Sequence, residues 1–384
     1  MSSVKITKWQ MISVGVCYMI GAILHLSEVS ATAGRDAWLM PVAGLIMFVP
    51  TAAIYCLLVK LHPQKCLYEI NEQALGKTLG KVFTFLYMLF FFHICTLNTM
   101  QAEAFVSAYL LPGTPVIVCG LMMTAFCAFA IYRGLRAIIV IPFAFGIVSG
   151  AYLLFNFLQS VPQMRPEFLR PMLAQEPRVY LHAAHIEATV IYGEIIGLLT
   201  FAGMLEKKTK FSVCFIITMI ISCLYLILVH LRERTLLGDL TPYVSFPSFG
   251  AVRMIGNVTG TLSRVESIYS LVMIAFSIFR VLITLWAVIT ALKQVFNLQS
   301  YTSLIIPAAA LAAVYSMRIY ASPNDSYIYG LNTTPFVWTV FTFIMPLITL
   351  VFAAARRLLT KMPTPNTSRK LPEQGAEPSG AEGF

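Results

Sequence analysis

We predict from the sequence an all-α polytopic membrane protein of about ten spans, built as two inverted five-helix repeats. The 384 residues are 58% hydrophobic and 11% charged, against roughly 25% charged for ordinary globular domains. Long apolar stretches recur from Gln10 to Arg357, and features of the early stretches return five stretches later. These stretches are too long for barrel strands. Only helices can then satisfy their backbone groups inside hydrocarbon.

Ten apolar stretches define the predicted spans. In chain order they are Gln10 to Glu28, Trp38 to Lys60, Lys81 to Leu111, Val116 to Tyr132, Ala137 to Ser160, Ile186 to Leu205, Phe211 to Leu231, Leu262 to Lys293, Tyr301 to Tyr320, and Thr333 to Ala355. The third and eighth exceed the roughly twenty residues that a perpendicular helix needs, so both are expected to be tilted.

The distribution of basic residues predicts the topology. A formal net charge of +10 would suggest nucleic-acid binding in a soluble protein. Here Lys and Arg are concentrated in the connections on one side of the predicted membrane, for example at Lys60, Lys65, Lys207 and Lys208. The positive-inside rule then places both termini in the cytoplasm. The expected partner is the bilayer, and we expect no nucleic acid.

Sequence motifs give no support to an enzyme. The chain has no GxxxxGK[ST], GxGxxG, HExxH or GxSxG run. Its eight cysteines include no CxxC pair and no ligand spacing with histidine. We therefore expect no catalytic residues, no metal and no cofactor.

The repeat is predicted from two features that recur at a five-span interval. The first span is interrupted at Gly21-Ala22 and the sixth at Gly193 and Gly197. The two long spans are the third and the eighth. Each follows a connection longer than a turn: His62 to Gly80, which predicts an amphipathic interfacial helix, and Arg232 to Thr261, a longer excursion rich in Gly and Pro. The second five spans begin on the opposite side, because five is odd, so the repeats are inverted.

The predicted organisation is that of amino-acid-permease (LeuT-like) proteins with broken helices 1 and 6. Residues 1–160 form the first repeat, residues 161–357 the second, and residues 358–384 a tail. Because the tail is rich in Pro, Ser, Gly, Glu and Thr, it is predicted to be a disordered cytoplasmic extension.

Paired helix breaks are the best pointer to a ligand site. Freed amides after Gly21, at Ala22 and Ile23, would offer positive dipole ends to a carboxylate. Freed carbonyls from Gly193 to Gly197 would suit an ammonium group. A zwitterionic amino acid matches both. The alternative is that these glycines only permit close helix packing.

Two ionisable residues lie deep in predicted spans, Glu194 and Arg280. Arginine cannot lose its proton in a protein, so Arg280 needs a carboxylate or a carbonyl cage, supplied by Glu194 or by the unwound first span. Glu194 is also a candidate ligand-binding residue. Our hypothesis is that the Arg280 guanidinium replaces a sodium ion between the first and eighth spans. The alternative is a fixed pair that only joins helices.

Polar stripes on the spans supply further candidates. His93 and Thr96 on the third span and Ser277 on the eighth are possible polar residues of the pocket. Another four ionisable residues lie towards helix ends, where a solvated interfacial position is expected: His25, Glu28, Glu103 and Glu187.

Several short motifs resemble one family. They are Lys5-Ile6-Thr7-Lys8-Trp9-Gln10, Asp36-Ala37-Trp38, Leu111-Pro112-Gly113-Thr114-Pro115, Leu237-Gly238-Asp239, Phe246-Pro247-Ser248 with Arg253, and Arg264-Val265-Glu266. Together with the basic Arg280 they resemble the B subunit of bacterial spore germinant receptors, the permease-like component of the amino acid, polyamine and organocation superfamily. The chain departs from that pattern at His25-Leu26-Ser27, where a Leu-Pro step is usual.

The resemblance implies a multi-pass protein of the spore inner membrane that recognises a small nutrient, often an amino acid. It also implies that the protein acts together with a germinant receptor A subunit and a lipoprotein C subunit to trigger germination. The alternative is a proton-coupled secondary transporter of amino acids or polyamines, in which Glu194 and His93 would carry protons. A scaffold with a vestigial site is a third interpretation.

Overall fold

The computed structural model describes residues 5–22, 26–259, 265–321 and 323–361, and these are helical apart from turns and one isolated parallel bridge. Within these ranges, seven helical segments are long and apolar enough to cross a membrane. Two shorter apolar helices, Val116–Tyr132 and Thr302–Ser316, accompany them. The all-α polytopic class is confirmed, and the count of ten spans stays a prediction.

The first half of the chain begins with a capped helix. Its helices are α1 (Lys8–Ile20), α2 (Leu26–Ala33), α3 (Met40–Leu61), α4 (Leu67–Leu75), α5 (Lys77–Phe105), α6 (Val116–Tyr132) and α7 (Leu135–Ser160). The Thr7 hydroxyl accepts a hydrogen bond from the Gln10 amide, and the Gln10 side chain accepts one from the Thr7 amide, so α1 starts with a capping box. After α2, Gly34 has a φ of 58°, which glycine adopts without steric cost. The chain therefore turns there towards α3.

The second half contains the long helix α11. Its helices are α8 (Pro177–Ile186), α9 (Phe211–Leu237), α10 (Pro247–Thr259), α11 (Val265–Val295), α12 (Thr302–Ser316), α13 (Pro323–Asn332), α14 (Thr334–Thr339) and α15 (Met345–Lys361). Helices α5 and α11, the two long spans, pack along each other more extensively than any other described pair. Of the apolar helical segments in the described ranges, the sixth span, Pro177–Met204, and the one containing α11 are the most buried. Helix α1 packs against α7, α9 and α11.

Two spans lose regular α-helical winding where the sequence predicts it. Helix α1 ends at Ile20, Gly21 and Ala22 form a tighter 3₁₀ turn, and the helix resumes as α2. The predicted residues Ile23 and His25 lie outside the described residues. In the sixth span α8 passes into a π-helical segment, Glu187–Ile191, and then a 3₁₀ segment, Gly193–Met204. The division into repeats 1–160 and 161–357 stays a prediction.

Several predicted boundaries are wrong. The sixth span begins at Pro177, well before Ile186, because the polar residues of α8 lie inside a helix. Helix α9 continues past the predicted end at Leu231 to Leu237. The predicted interfacial helix is present as α4. Helix α15 runs to Lys361, into the region predicted as a tail, and residues 362–384 lie outside the described residues.

On the N-terminal face, the segment before α1 is joined to the end of the sixth span. The Ile6 amide donates to the Met204 carbonyl at 2.9 Å, and the Glu206 amide donates to the Ile6 carbonyl at 3.1 Å. The Gln64 side-chain amide adds a bond to the Leu205 carbonyl at 2.9 Å. These bonds tie together the outer ends of both interrupted spans.

Candidate functional site

A buried ion pair lies where the interrupted spans meet α11. Arg280 donates from Nε to Glu194 Oε2 at 3.0 Å, and its Nη2 bonds the same oxygen. The Tyr18 hydroxyl donates to that oxygen at 3.3 Å. The Tyr18 ring centroid lies 5.4 Å from Arg280 Cζ, within cation–π range. Of the two partners predicted for Arg280, Glu194 is the one observed.

Each residue of this pair has one polar atom without a hydrogen-bond partner among the described residues. Arg280 is 1% exposed and Glu194 is 0% exposed. Arg280 Nη1 and Glu194 Oε1 have no hydrogen-bond partner among the described residues. Leaving a buried charged group unpaired is costly. Nη1 is a donor suited to a carboxylate, and Oε1 is an acceptor suited to an ammonium group.

Gly21 brings the first break directly against α11. A methyl group added at Gly21 would lie 2.8 Å from the Phe276 carbonyl oxygen and 3.3 Å from Arg280 Cβ. Only glycine permits this approach, so Gly21 serves close helix packing and also sets the broken backbone beside Arg280. Ala22, the next residue, is fully buried.

The two glycines of the sixth span have different surroundings. A methyl group at Gly193 would lie 2.8 Å from Thr342 Cγ2, so this glycine packs against the last span. A methyl group at Gly197 would lie 3.6 Å from the Phe91 ring and 4.0 Å from the Tyr18 hydroxyl, both ordinary contact distances. Gly193 directly precedes Glu194 in the chain, whereas Gly197 is the glycine that faces Tyr18, the residue that bonds Glu194.

The other predicted pocket residues lie on α5 and α11. Thr96 donates to the His93 carbonyl at 2.8 Å, and Ser277 donates to the Met273 carbonyl at 2.9 Å. Both hydroxyl protons are therefore used within their own helices. The His93 ring packs edge-on against Tyr320, with centroids 6.5 Å apart.

Three carboxylates expected at the solvated interface are buried. Glu28 is 5% exposed, Glu103 is 1% exposed and Glu187 is 0% exposed. The expectation is wrong because neighbouring helices cover Glu28 and Glu103, and because the sixth span begins at Pro177, so that Glu187 lies inside it. Both Glu187 oxygens lack a hydrogen-bond partner among the described residues, and this residue begins the π-helical segment. Single π-helical turns within α-helices are frequent at functional sites.

A second buried charged network, around Arg232, was missed by the sequence reasoning. Arg232 donates to Asn156 Oδ1 at 2.6 Å, to the Tyr269 hydroxyl at 2.8 Å and to the Ser248 carbonyl at 3.3 Å. The Ser248 hydroxyl in turn donates to Glu233. This network connects α7, α9, α10 and α11. The sequence signal that could have found it is the triplet of adjacent charges, Arg232 to Arg234, which follows an apolar run without a turn residue.

The fold and the buried pair define an all-α polytopic membrane protein with a charged site inside its helical core. A family model described as "Spore germination protein" matches residues 5–326, and the chain belongs to this family. It is 23% identical to spore germination protein KB of Bacillus subtilis (strain 168) over 365 residues, which cover 93% of this chain and 96% of that relative. It is 25% identical to spore germination protein YndE of the same organism over 114 residues, 29% of this chain and 31% of that relative.

Proposed function

We propose that the chain is the membrane subunit of a spore germinant receptor and that it recognises a small nutrient, an amino acid, at the Glu194–Arg280 pair. One observation carries the proposal. At the junction of two interrupted spans, a buried carboxylate and a buried guanidinium each keep one polar atom without a partner among the described residues. These two atoms would suit a ligand that brings both an acceptor and a donor.

Recognition would use both halves of the pair. The nutrient carboxylate would accept from Arg280 Nη1 and from the amides that follow Gly21, at Ala22 and Ile23. The nutrient ammonium would donate to Glu194 Oε1. Tyr18 would hold Glu194 in place through the bond to Oε2. Because the site is buried, these charge-assisted bonds would be stronger than in water.

Family membership supports the cellular role. Two relatives carry the description "spore germination protein", which supports the proposal that this chain lies in the spore inner membrane. The concentration of Lys and Arg on one side of the predicted membrane supports the proposal that both termini are cytoplasmic. Germinant receptor A and C subunits are its proposed partners. Ligand binding would shift the interrupted spans, and the partner subunits would receive that shift.

Spores that carry single substitutions test this proposal. Arg280→Met and Glu194→Gln should abolish germination in response to the amino acid that triggers the unaltered protein, and Arg280→Lys should keep part of the response. Arg178→Met, which removes an exposed arginine paired with Glu176, is the control and should respond normally. Release of dipicolinic acid is the readout. A normal response of the Arg280→Met spores would reject the site.

Glu187 supports a second candidate function, secondary transport. A fully buried carboxylate without a described partner is a group that could take up and release a proton. Uptake of labelled amino acids into vesicles containing this chain alone distinguishes the two functions. Accumulation that Glu187→Gln abolishes would favour the transporter. Germination that depends on the chain, without any uptake, would favour the receptor.

A further inference from the structure

A cavity of about 810 Å³ lies on the face opposite the N-terminus. It is formed where α2, α5, α12 and α13 come together, with the connection between α9 and α10 along one side. Its lining includes Glu28, Glu103, Ser316, Phe246, Tyr320 and Tyr327. None of the residues assigned to the amino acid site above is among the residues that line it.

The charged residues of this cavity are both acidic. Glu28 and Glu103 line it, and the described lining residues include no Lys, Arg or His. Glu103 Oε1 accepts a hydrogen bond from the Ser316 hydroxyl at 2.9 Å. Glu103 Oε2 and Glu28 Oε2 have no partner among the described residues. Two buried carboxylates with a free oxygen each require a cation to balance them when they are ionised.

The size and lining of the cavity indicate which cation fits. Its volume lies within the roughly 300–1,000 Å³ typical of sites for small organic molecules, so a bare inorganic ion would leave most of it unfilled. No group of three or more His, Cys, Asp and Glu suited to a metal occurs in the part of the chain that the structure describes. The Tyr320 and Tyr327 rings line the same space, and aromatic faces attract ammonium groups.

We propose that this cavity is a second ligand site, which binds an organic ammonium ion through Glu28 and Glu103. The ammonium group pairs with the two carboxylates, and its hydrocarbon part packs against the aromatic and apolar wall. A compound with two ammonium groups can bind both carboxylates at once. The two sites share no residue, and Glu28 lies within range of electrostatic interaction with Glu194 and Arg280.

Titration calorimetry of the full-length protein in lipid nanodiscs tests the proposal, with 1,4-diaminobutane as the probe. Saturable binding is expected, and Glu28→Gln or Glu103→Gln should weaken it at least tenfold. Glutamine keeps the shape of each side chain and can still accept from Ser316. Glu69→Gln is the matched control. Glu69 lies in α4, away from the cavity, where it forms an ion pair with Lys65. This variant should bind like the unaltered protein.

A second set of measurements keeps the proposal testable if one of the glutamine variants does not fold. Ala104→Phe adds bulk to the cavity wall without removing charge, and it should weaken binding as well. Butanoate and 1-butanol should not bind, and potassium chloride at equal ionic strength should not displace the diamine more than sodium chloride does. Absence of saturable diamine binding, or undiminished binding in the glutamine and phenylalanine variants, would overturn the proposal. Selective displacement by potassium would also overturn it, in favour of an inorganic ion site.

Discussion

Arg280 and Glu194 meet through one carboxylate oxygen, Oε2, which accepts from both Nε and Nη2 of the guanidinium. A pair that only joined two helices would gain most from fork geometry, in which each oxygen takes one N–H group. The observed geometry instead leaves Oε1 and Nη1 without a partner among the described residues. Oε1 and Nη1 are the two atoms that we propose the ligand contacts.

The first prediction concerns the stability of this pair. Arg280→Met should lower the free energy of unfolding by about 3–5 kcal/mol, because it leaves Glu194 buried without a counter-charge. The double variant Arg280→Met with Glu194→Leu should recover most of this loss, since no charge remains to be buried. Thermal unfolding in detergent measures both. The double variant should still not respond to the nutrient. A double variant as unstable as the single one would show that the pair is not what the methionine disrupts.

The second prediction concerns the approach of the first break to α11. Gly21→Ala should cost about 1–3 kcal/mol by overpacking, because the added methyl group would lie 2.8 Å from the Phe276 carbonyl oxygen. Gly150→Ala is the matched control, since nothing lies within 4 Å of a methyl group there. Melting temperatures of the two variants should separate clearly. Equal temperatures would mean that α1 and α11 can move apart without cost.

The third prediction concerns the network around Arg232. Arg232→Met should destabilise the protein by about 3–5 kcal/mol, because Glu233 and several buried acceptors lose their cation. Arg232→Lys should recover little, since a single ammonium cannot reach Asn156, Tyr269 and Ser248 together. The exposed Arg178→Met variant should change stability by about 0–1 kcal/mol. Chemical denaturation in detergent gives the comparison, and full rescue by lysine would contradict the proposed geometry.

The fourth prediction concerns the pairing at the N-terminal face. Ile6→Pro removes the amide that donates to the Met204 carbonyl at 2.9 Å. Hydrogen exchange of the Glu206 amide should then become faster, because its acceptor is the Ile6 carbonyl. Ile6→Val keeps the amide and should leave the exchange rate unchanged. Slow exchange in the proline variant would show that the pairing does not hold this face together.

The features that the sequence predicts correctly are those that depend on one physical rule and on residues close together in the chain. Length and hydropathy gave Val116–Tyr132 with the bounds that the structure has. Glycines indicated the two interrupted spans, but in the sixth span regular α-helical winding already ends before Glu187, ahead of Gly193. A permanent charge in the membrane interior needs a counter-charge or a carbonyl cage, which predicted Glu194 or the unwound first span as partners of Arg280. Glu194 is the partner that the structure shows among the described residues.

The rest depends on contacts between residues that are distant in sequence. Arg232 follows an apolar run, which is also how a chain leaves a membrane, so it was assigned to a loop. Its partner Asn156 lies 76 positions away, and Ser316 lies 213 positions from Glu103. No local pattern indicates that such residues will meet. The buried network and the acidic cavity are therefore visible only once the helices are packed.

The backbone hydrogen bonds that Ile6 forms with Met204 and Glu206 make the N-terminal face of the molecule different from the face that carries the acidic cavity. On that face a hydrogen-bonded strip of backbone runs across the ends of both interrupted spans, whereas the acidic cavity lies on the other face. A solute that enters the cavity meets the carboxylates of Glu28 and Glu103, which favour a cation. Any opening between the interrupted spans on the N-terminal face would first have to break the backbone hydrogen bonds that Ile6 forms with Met204 and Glu206.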